Sequence, residues 1–347
     1  MKTLKTYDKV ISYLNSKQRE HHLLMGNGFS ISYNKDMFSY NALHRFIIDS
    51  RDEKVQQVFN VLNTQNFELV MQQLDNFADI AQVFDAPRNI IEDVDVAVNG
   101  LRGELIEAIS SLHPQHVFSV PANKSKACAN FFSEYLNNKG QIFSTNYDLL
   151  MYWILMRNDI QNCIDGFGRY AENIDDGEFV KEDDIDWSDL TWGPHKTQQN
   201  IHYLHGALPI FDEGSNIIKA ESNGEWLLDV IKRKIQDKKY PIFVAAGDSK
   251  QKMEHISHNK YLTFCYDRLT EITGSLIVFG FSFGENDTHI IDAINRAAVF
   301  RNGKALLSVY IGVYSKDDYD HISSIRKMFK CRKLEMFDAR TVNIWGE

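Results

Sequence analysis

A series of short apolar runs, separated by helical patterns, constrains this chain more than any other feature. "HLLMG" at 22–26, "QIFSTNYD" at 141–148, "IHYLHG" at 201–206, "PIFVAAG" at 241–247, "SLIVFGFSF" at 275–283 and "LLSVYIGVY" at 306–314 are rich in β-branched or aromatic residues. Between the later runs lie "EWLLDVIKRKI", "YLTFCYDRLTEI" and "DTHIIDAINRAAVF", whose apolar residues recur at three- and four-residue spacing. Strands that are apolar on both faces and alternate with helices belong in a parallel sheet covered by helices. The expected fold class is therefore α/β, a Rossmann-like parallel sheet flanked by helices.

Two further segments stand out. Residues 5–18 pattern as an amphipathic helix with Tyr7, Val10, Ile11 and Leu14 on one face. From about 51 to 138 the pattern is helical throughout, with "HPQH" at 113–116 dividing two helices because Pro disfavours helix in the residue before it. This block is expected as a helical insertion packed onto the sheet domain, since no Pro/Gly/Ser-rich linker sets it apart. An acidic loop at about 172–190 reads as solvated surface. With 347 residues, the chain is expected to form a single α/β domain over 1–347 that includes both segments.

Charge and cysteine usage exclude several function classes. A formal net charge of −9 makes recognition of a phosphate backbone through bulk charge a poor expectation, so direct nucleic-acid binding is not expected. The four cysteines, Cys128, Cys163, Cys265 and Cys331, are far apart and form no CxxC pair, so no zinc ribbon is expected. Scattered thiols fit a reducing compartment. The N-terminus lacks an uninterrupted apolar core of the secretory type, and no apolar run is long enough to span a bilayer. A soluble cytoplasmic protein with no membrane partner is expected.

Ligands of open parallel sheets bind beyond the carboxyl ends of the strands. Four runs here end in polar or glycine-rich groups. In "LLMGNGFS", Gly26 and Gly28 would let the backbone approach a pyrophosphate, and Ser30 could cap the next helix. The full G-x-G-x-x-G fingerprint is absent because Ile31 stands in the third glycine's place. In "IFSTNYDLL", Ser144, Thr145, Asn146 and Asp148 follow a strand, where Asn146 or Asp148 could cap a helix or face a ligand. "YLHGAL" carries His205, whose parity matches Ile201 and Tyr203, whereas His202 points the other way and reads as structural. "IVFGFSFGENDTHI" offers Gly280, Ser282 and Gly284 for close approach and Asp287 as a helix cap. Each ending alone has a structural reading, and His205 alone reads as a core histidine. Four such endings on alternating strands favour a nucleotide site. His255, His258 and His289 match no metal motif and read as surface or capping residues, and Phe29, Tyr147 and Phe281 read as core before they read as stacking groups.

Taken together, these segments resemble the sirtuin fold family, in the family's order, from about residue 23 to 290. The glycine-Ser loop that cradles NAD in that family resembles Gly26, Asn27, Gly28, Phe29 and Ser30. The segment contacting the nicotinamide ribose resembles Thr145, Asn146, Tyr147 and Asp148, preceded by Ser144. The segment supplying the catalytic histidine resembles Leu204, His205 and Gly206. The late strand end that meets the cofactor again resembles Gly280, Phe281 and Ser282, followed by Asp287. Three features depart from the deacylating sirtuins: the zinc cysteines are missing, Gln-Asn-Ile-Asp is replaced by Thr-Asn-Tyr-Asp, and the helical block has no counterpart in their small domain. The pattern is closer to the zinc-free sirtuin-like domains of bacterial antiphage defence systems, which break down NAD.

The resemblance implies an NAD glycohydrolase that depletes NAD, with NAD as substrate and no metal. Breaking the nicotinamide–ribose bond develops positive charge on the ribose, while the leaving group is already cationic. The enzyme must hold the ribose, stabilise that charge and deliver water. Asn146 would orient the ribose or the water, His205 would take a proton near neutral pH, and Asp148 would orient the ribose or stabilise charge. A homo-oligomer, and a partner such as a defence-system ATPase, are expected from the same resemblance. Alternatives are a non-catalytic NAD or ADP-ribose sensor controlling a partner, and an ADP-ribosyl or acyl transferase.

Overall fold

In a computed structural model, residues 4–38, 53–64, 67–111, 113–172, 181, 185–244, 247–301 and 303–346 are described. The chain opens with β1 (Lys5–Thr6), α1 (Tyr7–Ser16), β2 (His21–Met25), α2 (Gly28–Tyr33) and α3 (Lys35–Phe38). The helical block supplies α4 (Glu53–Val61), α5 (Phe67–Val83), α6 (Arg88–Ser111) and α7 (Ala122–Leu136). Next come β3 (Ile142–Ser144), α8 (Leu150–Arg157), β4 (Phe167–Gly168), β5 (Thr191–Trp192), β6 (Ile201–Tyr203), β7 (Gly206–Glu213) and β8 (Asn216–Lys219). The last part runs through α9 (Leu227–Gln236), β9 (Pro241–Phe243), α10 (Ser249–His258), α11 (Lys260–Glu271), β10 (Gly274–Phe279), α12 (Thr288–Ala297), β11 (Leu306–Val313), α13 (Lys316–Ile325) and β12 (Lys333–Asp338).

Seven strands form a parallel sheet in the order β1-β12-β11-β10-β2-β3-β6. Helices cover it, as the unbroken apolar strands require: the interiors of β2, β3 and β10 are buried. The fold is thus α/β and Rossmann-like. The four strands with polar endings, β10, β2, β3 and β6, are neighbours in that order. Four endings that are far apart in sequence therefore project from one contiguous stretch of sheet edge.

A second sheet departs from the sequence expectation. Strands β4-β5-β8-β7-β9 form an antiparallel sheet of five. "PIFVAAG" was expected in the parallel sheet, but Pro241–Phe243 pairs antiparallel with β7; Ala245 and Ala246 lie outside the described residues. A short apolar run carries no information on strand direction, and here a hairpin partner captures it. The stretch "IHYLHGALPIF" is likewise two strands. β6 ends in the parallel sheet and β7 begins in the antiparallel one, with Leu204 and His205 at the switch. Gly206 makes the switch possible: its φ is +75°, and a Cβ there would sit 2.1 Å from the Ile242 carbonyl oxygen.

The helical block divides between two cores. α7 packs on the main sheet, where Cys128, Phe132 and Tyr135 join Leu23, Phe143 and Val278. α5 and α6 instead pack with α9 and the antiparallel sheet; Phe67 stacks on Phe243 at 5.9 Å and Arg102 pairs with Asp75 at 3.0 Å beside Tyr240. Of the acidic loop, residues 173–180 and 182–184 lie outside the described residues, as do 51–52, 65–66 and 112 of the helical block. All four cysteines are free thiols. Among the described residues, no helix is long and apolar enough to cross a membrane.

Candidate functional site

A cavity of about 1050 Å³ lies beyond the carboxyl ends of the parallel strands. It is lined by Asn27 and Gly28 after β2, by Thr145, Asn146, Tyr147 and Asp148 after β3, by His205 after β6, and by Gly280, Phe281, Ser282 and Asp287 after β10. All four expected strand endings therefore meet in one space, in a volume suited to a large cofactor. Gly26, Phe29, Ser30 and Ser144 stand behind this wall. Phe29 is fully buried against Phe132 and Trp345.

The glycines let two loops of the chain approach each other closely. A Cβ on Gly26 would lie 2.7 Å from the Gly280 carbonyl oxygen, and one on Gly28 would lie 2.6 Å from the Gly280 Cα. Gly280 has a φ of +67°, and its own Cβ would meet the Phe29 nitrogen at 2.6 Å. The close approach is thus between two loops of the protein. The amides of Gly26, Gly28 and Phe29 donate to the carbonyls of Phe279, Gly280 and Gly26, so these three N–H groups already have acceptors within the chain. A pyrophosphate cradle would have to be built from other donors. Ser30 caps no helix, because α2 begins at Gly28 and Ser30 lies inside it.

Ser30 instead organises the β3 ending. The Asn146 side-chain amide donates to Ser30 Oγ at 2.9 Å, and Ser30 Oγ donates to Asp148 Oδ2 at 2.6 Å. Asp148 Oδ1 accepts from the Leu150 amide at 2.8 Å. Both Asp148 oxygens are thus engaged, and the carboxylate fixes Asn146 through Ser30. Asn146 is further held by its own amide, which donates to Ser144 Oγ at 3.0 Å. Thr145 anchors the turn to Met25, with its amide and hydroxyl on the same carbonyl. His113, from the break between α6 and α7, accepts the Leu149 amide at Nε2 and so donates from Nδ1 to the Ile109 carbonyl. Burial holds its pKa low, which keeps it neutral for that bond.

His205 is buried, with its Nε2 2.9 Å from His289 Nε2. The His289 ring nitrogen Nδ1 lies 3.3 Å from Ser249 Oγ, which also accepts the His289 amide at 2.8 Å. Burial, then the neighbours His289, Lys252 and His255, push the His205 pKa well below its ordinary value. Burial lowers that of His289 to about 4 despite Asp287. Both rings are neutral at pH 7, so one donates and the other accepts. Asp287, expected as a helix cap, makes no capping bond; its Oδ1 takes the Lys252 ammonium at 2.7 Å. His202 stacks on Phe143 at 4.8 Å and meets Gln141, as its structural reading requires.

His205, Asp287 and His289 together offer ligand atoms that lie within 4.8 Å of one another, a set that could hold a divalent metal. In the arrangement described, Lys252 already supplies Asp287 with a positive charge, and the two imidazoles bond to each other. His289 was read from sequence as a surface or capping residue; burial and this contact place it in the site. Lys252, Tyr314, Asp318, His321, Arg340 and Trp345 also line the cavity unanticipated. They come from two helices, from the end of β11 and from the segment after β12, whose sequences carry no motif. His258 is exposed and bonds the Glu254 carbonyl, as a surface histidine should.

A sequence profile described as a domain of unknown function (DUF4917) matches residues 23–345, which include the cavity, so the chain belongs to that family. No curated protein matches the chain.

Proposed function

We propose that this DUF4917 family member is a sirtuin-like NAD glycohydrolase, cleaving the nicotinamide–ribose bond of NAD to give nicotinamide and ADP-ribose. One observation carries the reading. Asn146 and His205 line one cavity from the ends of adjacent parallel strands, and β3 and β6 are in register through Ser144 and Tyr203. A polar amide and a neutral imidazole at that place match what the reaction needs. Asn146, immobilised by Ser30 and Ser144, presents its side-chain oxygen to a ribose hydroxyl or to the attacking water. His205 accepts a proton from that hydroxyl or water. Asp148 keeps Asn146 in place and adds negative charge near the ribose, where positive charge develops. The proposed setting is antiphage defence in the cytoplasm by NAD depletion, in a homo-oligomer that works with a partner such as an ATPase.

Purified full-length protein incubated with NAD should release nicotinamide and ADP-ribose in equal amounts, measured by chromatography. Asn146→Ala and His205→Ala should each reduce the rate at least about 100-fold. Equal rates in wild type and both variants would remove these residues from the site. Stoichiometric NAD binding with no turnover, with and without cell extract from phage-infected bacteria, would replace the hydrolase with a sensor.

A further inference from the structure

We propose that His289 is a positioning residue, holding His205 as a neutral base with Nε2 protonated and Nδ1 left for the cavity. Three contacts point the same way. His205 Nε2 faces His289 Nε2 at 2.9 Å, and His289 Nδ1 faces Ser249 Oγ at 3.3 Å. Ser249 Oγ receives the His289 amide at 2.8 Å and has a second lone pair that can accept the His289 Nδ1 proton. A donor chain from His205 Nε2 to His289 Nε2, and from His289 Nδ1 to Ser249, satisfies every bond with one proton per ring. His205 Nδ1 has no partner among the described residues, and His205 lines the cavity. The nitrogen that could accept a proton is therefore the one without an internal bond.

Such an arrangement needs its second histidine to stay neutral, and the surroundings provide for that. The charged and titratable groups facing the pair are Asp287, which precedes α12, Lys252 and His255 from α10, and Tyr266 from α11, whose ring stacks on His289 at 6.5 Å and whose hydroxyl donates to the His289 carbonyl at 2.9 Å. The Lys252 ammonium sits on Asp287 at 2.7 Å and disfavours a second positive charge beside it. The principle is that of a second group fixing a catalytic imidazole's tautomer and direction, with a neutral imidazole in the place a carboxylate often takes. When His205 accepts a proton at Nδ1, its Nε2–H remains on His289, and the proton returns from Nδ1 to solvent or product. No net charge is created on His289. The catalytic consequence rests on the NAD hydrolase reading; the positioning itself does not.

The test uses ¹⁵N-imidazole NMR of the full chain alongside NAD turnover, in wild type, His289→Ala, His289→Gln and Ser249→Ala. In wild type, His205 should show the Nε2-protonated tautomer. In His289→Ala it should average between tautomers and titrate closer to the free-imidazole range. His289→Gln leaves an amide that can meet His205 Nε2 without titrating, and should restore the single tautomer. In turnover, His289→Ala should lower kcat at least about tenfold with little change in KM, move the acid limb of the kcat profile upward, and be largely rescued in His289→Gln. A His205 tautomer that is Nδ1-protonated in wild type, or unchanged in His289→Ala, overturns the proposal. So does a kcat equal to or above wild type in His289→Ala, which would make the contact a restraint. If wild type releases no nicotinamide, the hydrolase reading falls while the ring measurement still decides the positioning.

Discussion

Asn146 and His205 leave the main sheet at the same level, each following the last paired residue of its strand, Ser144 and Tyr203, by the same interval. Their backbones are thus fixed relative to one another by sheet hydrogen bonds. Groups that act as a unit in one step show non-additive losses. The Asn146→Ala/His205→Ala double variant is expected to hydrolyse NAD about as slowly as the slower single variant. Rates multiplying across the two, measured as kcat/KM, would mean they serve separate steps.

The Ser30 hydroxyl links Asn146 to Asp148 in a buried place, so Ser30→Ala breaks two bonds at once. It leaves Asp148 Oδ2 without its partner, which costs about 1–3 kcal/mol. We expect a lower urea midpoint and a kcat reduced about tenfold or more, since Asn146 loses its direction. Full activity with lowered stability would leave Ser30 a packing role only.

Gly206 turns the chain from one sheet into the other at φ +75°, with the Ile242 carbonyl directly behind it. Gly206→Ala combines a strained backbone with a backbone clash that no rotamer relieves. A loss of at least about 2 kcal/mol in chemical denaturation is expected. Gly214, also at positive φ but with open space around it, should tolerate alanine at about 1 kcal/mol. Similar losses at both positions would mean that the sheet switch imposes no special constraint.

Burial lowers the pKa of His22 and of His289 to about 4, from an ordinary value of 6.5. A histidine depressed in the folded state favours the unfolded state once protons bind. Its contribution is complete above pH 6.5 and is lost as pH falls through 4. Each group is worth about 3 kcal/mol at the acid limit. The urea midpoint should therefore hold steady from pH 8 to 7 and fall steeply between pH 6 and 4. A midpoint flat across that lower window would contradict neutral burial of these rings.

On the proposed reading His205 is a base and the reaction needs no metal. Dialysis against EDTA should leave NAD turnover within about twofold, and added zinc should inhibit by drawing His205, Asp287 and His289 together. Activity lost on chelation and restored by a divalent ion would make these three residues a metal centre instead.

The parallel sheet was legible because its strands are apolar on both faces, and the four polar endings were legible because each breaks such a run. Direction was not legible for "PIFVAAG", whose partner β7 lies in a hairpin invisible to periodicity. Asn146 and His205 could be read as strand endings. His289 could not, because its neighbours Ile290 and Ile291 mark only a helix face, and its meeting with His205 is a product of packing α12 against the sheet end. The glycines were read for conformational freedom in the right places, but their close neighbour Gly280, more than 250 positions away, could not be read from local pattern.

Strands β2, β3, β6 and β10 gather the cavity wall from residues 21 to 279, and the far wall continues to Trp345. While the chain is being made, its early loops stand exposed without the partners that shape them. The interlock of Gly26 and Gly28 with Gly280 cannot close until most of the sheet exists, and His205 finds His289 later still in synthesis. A growing or truncated chain therefore lacks the complete cavity, and on the proposed reading NAD cleavage would arrive only with the finished fold.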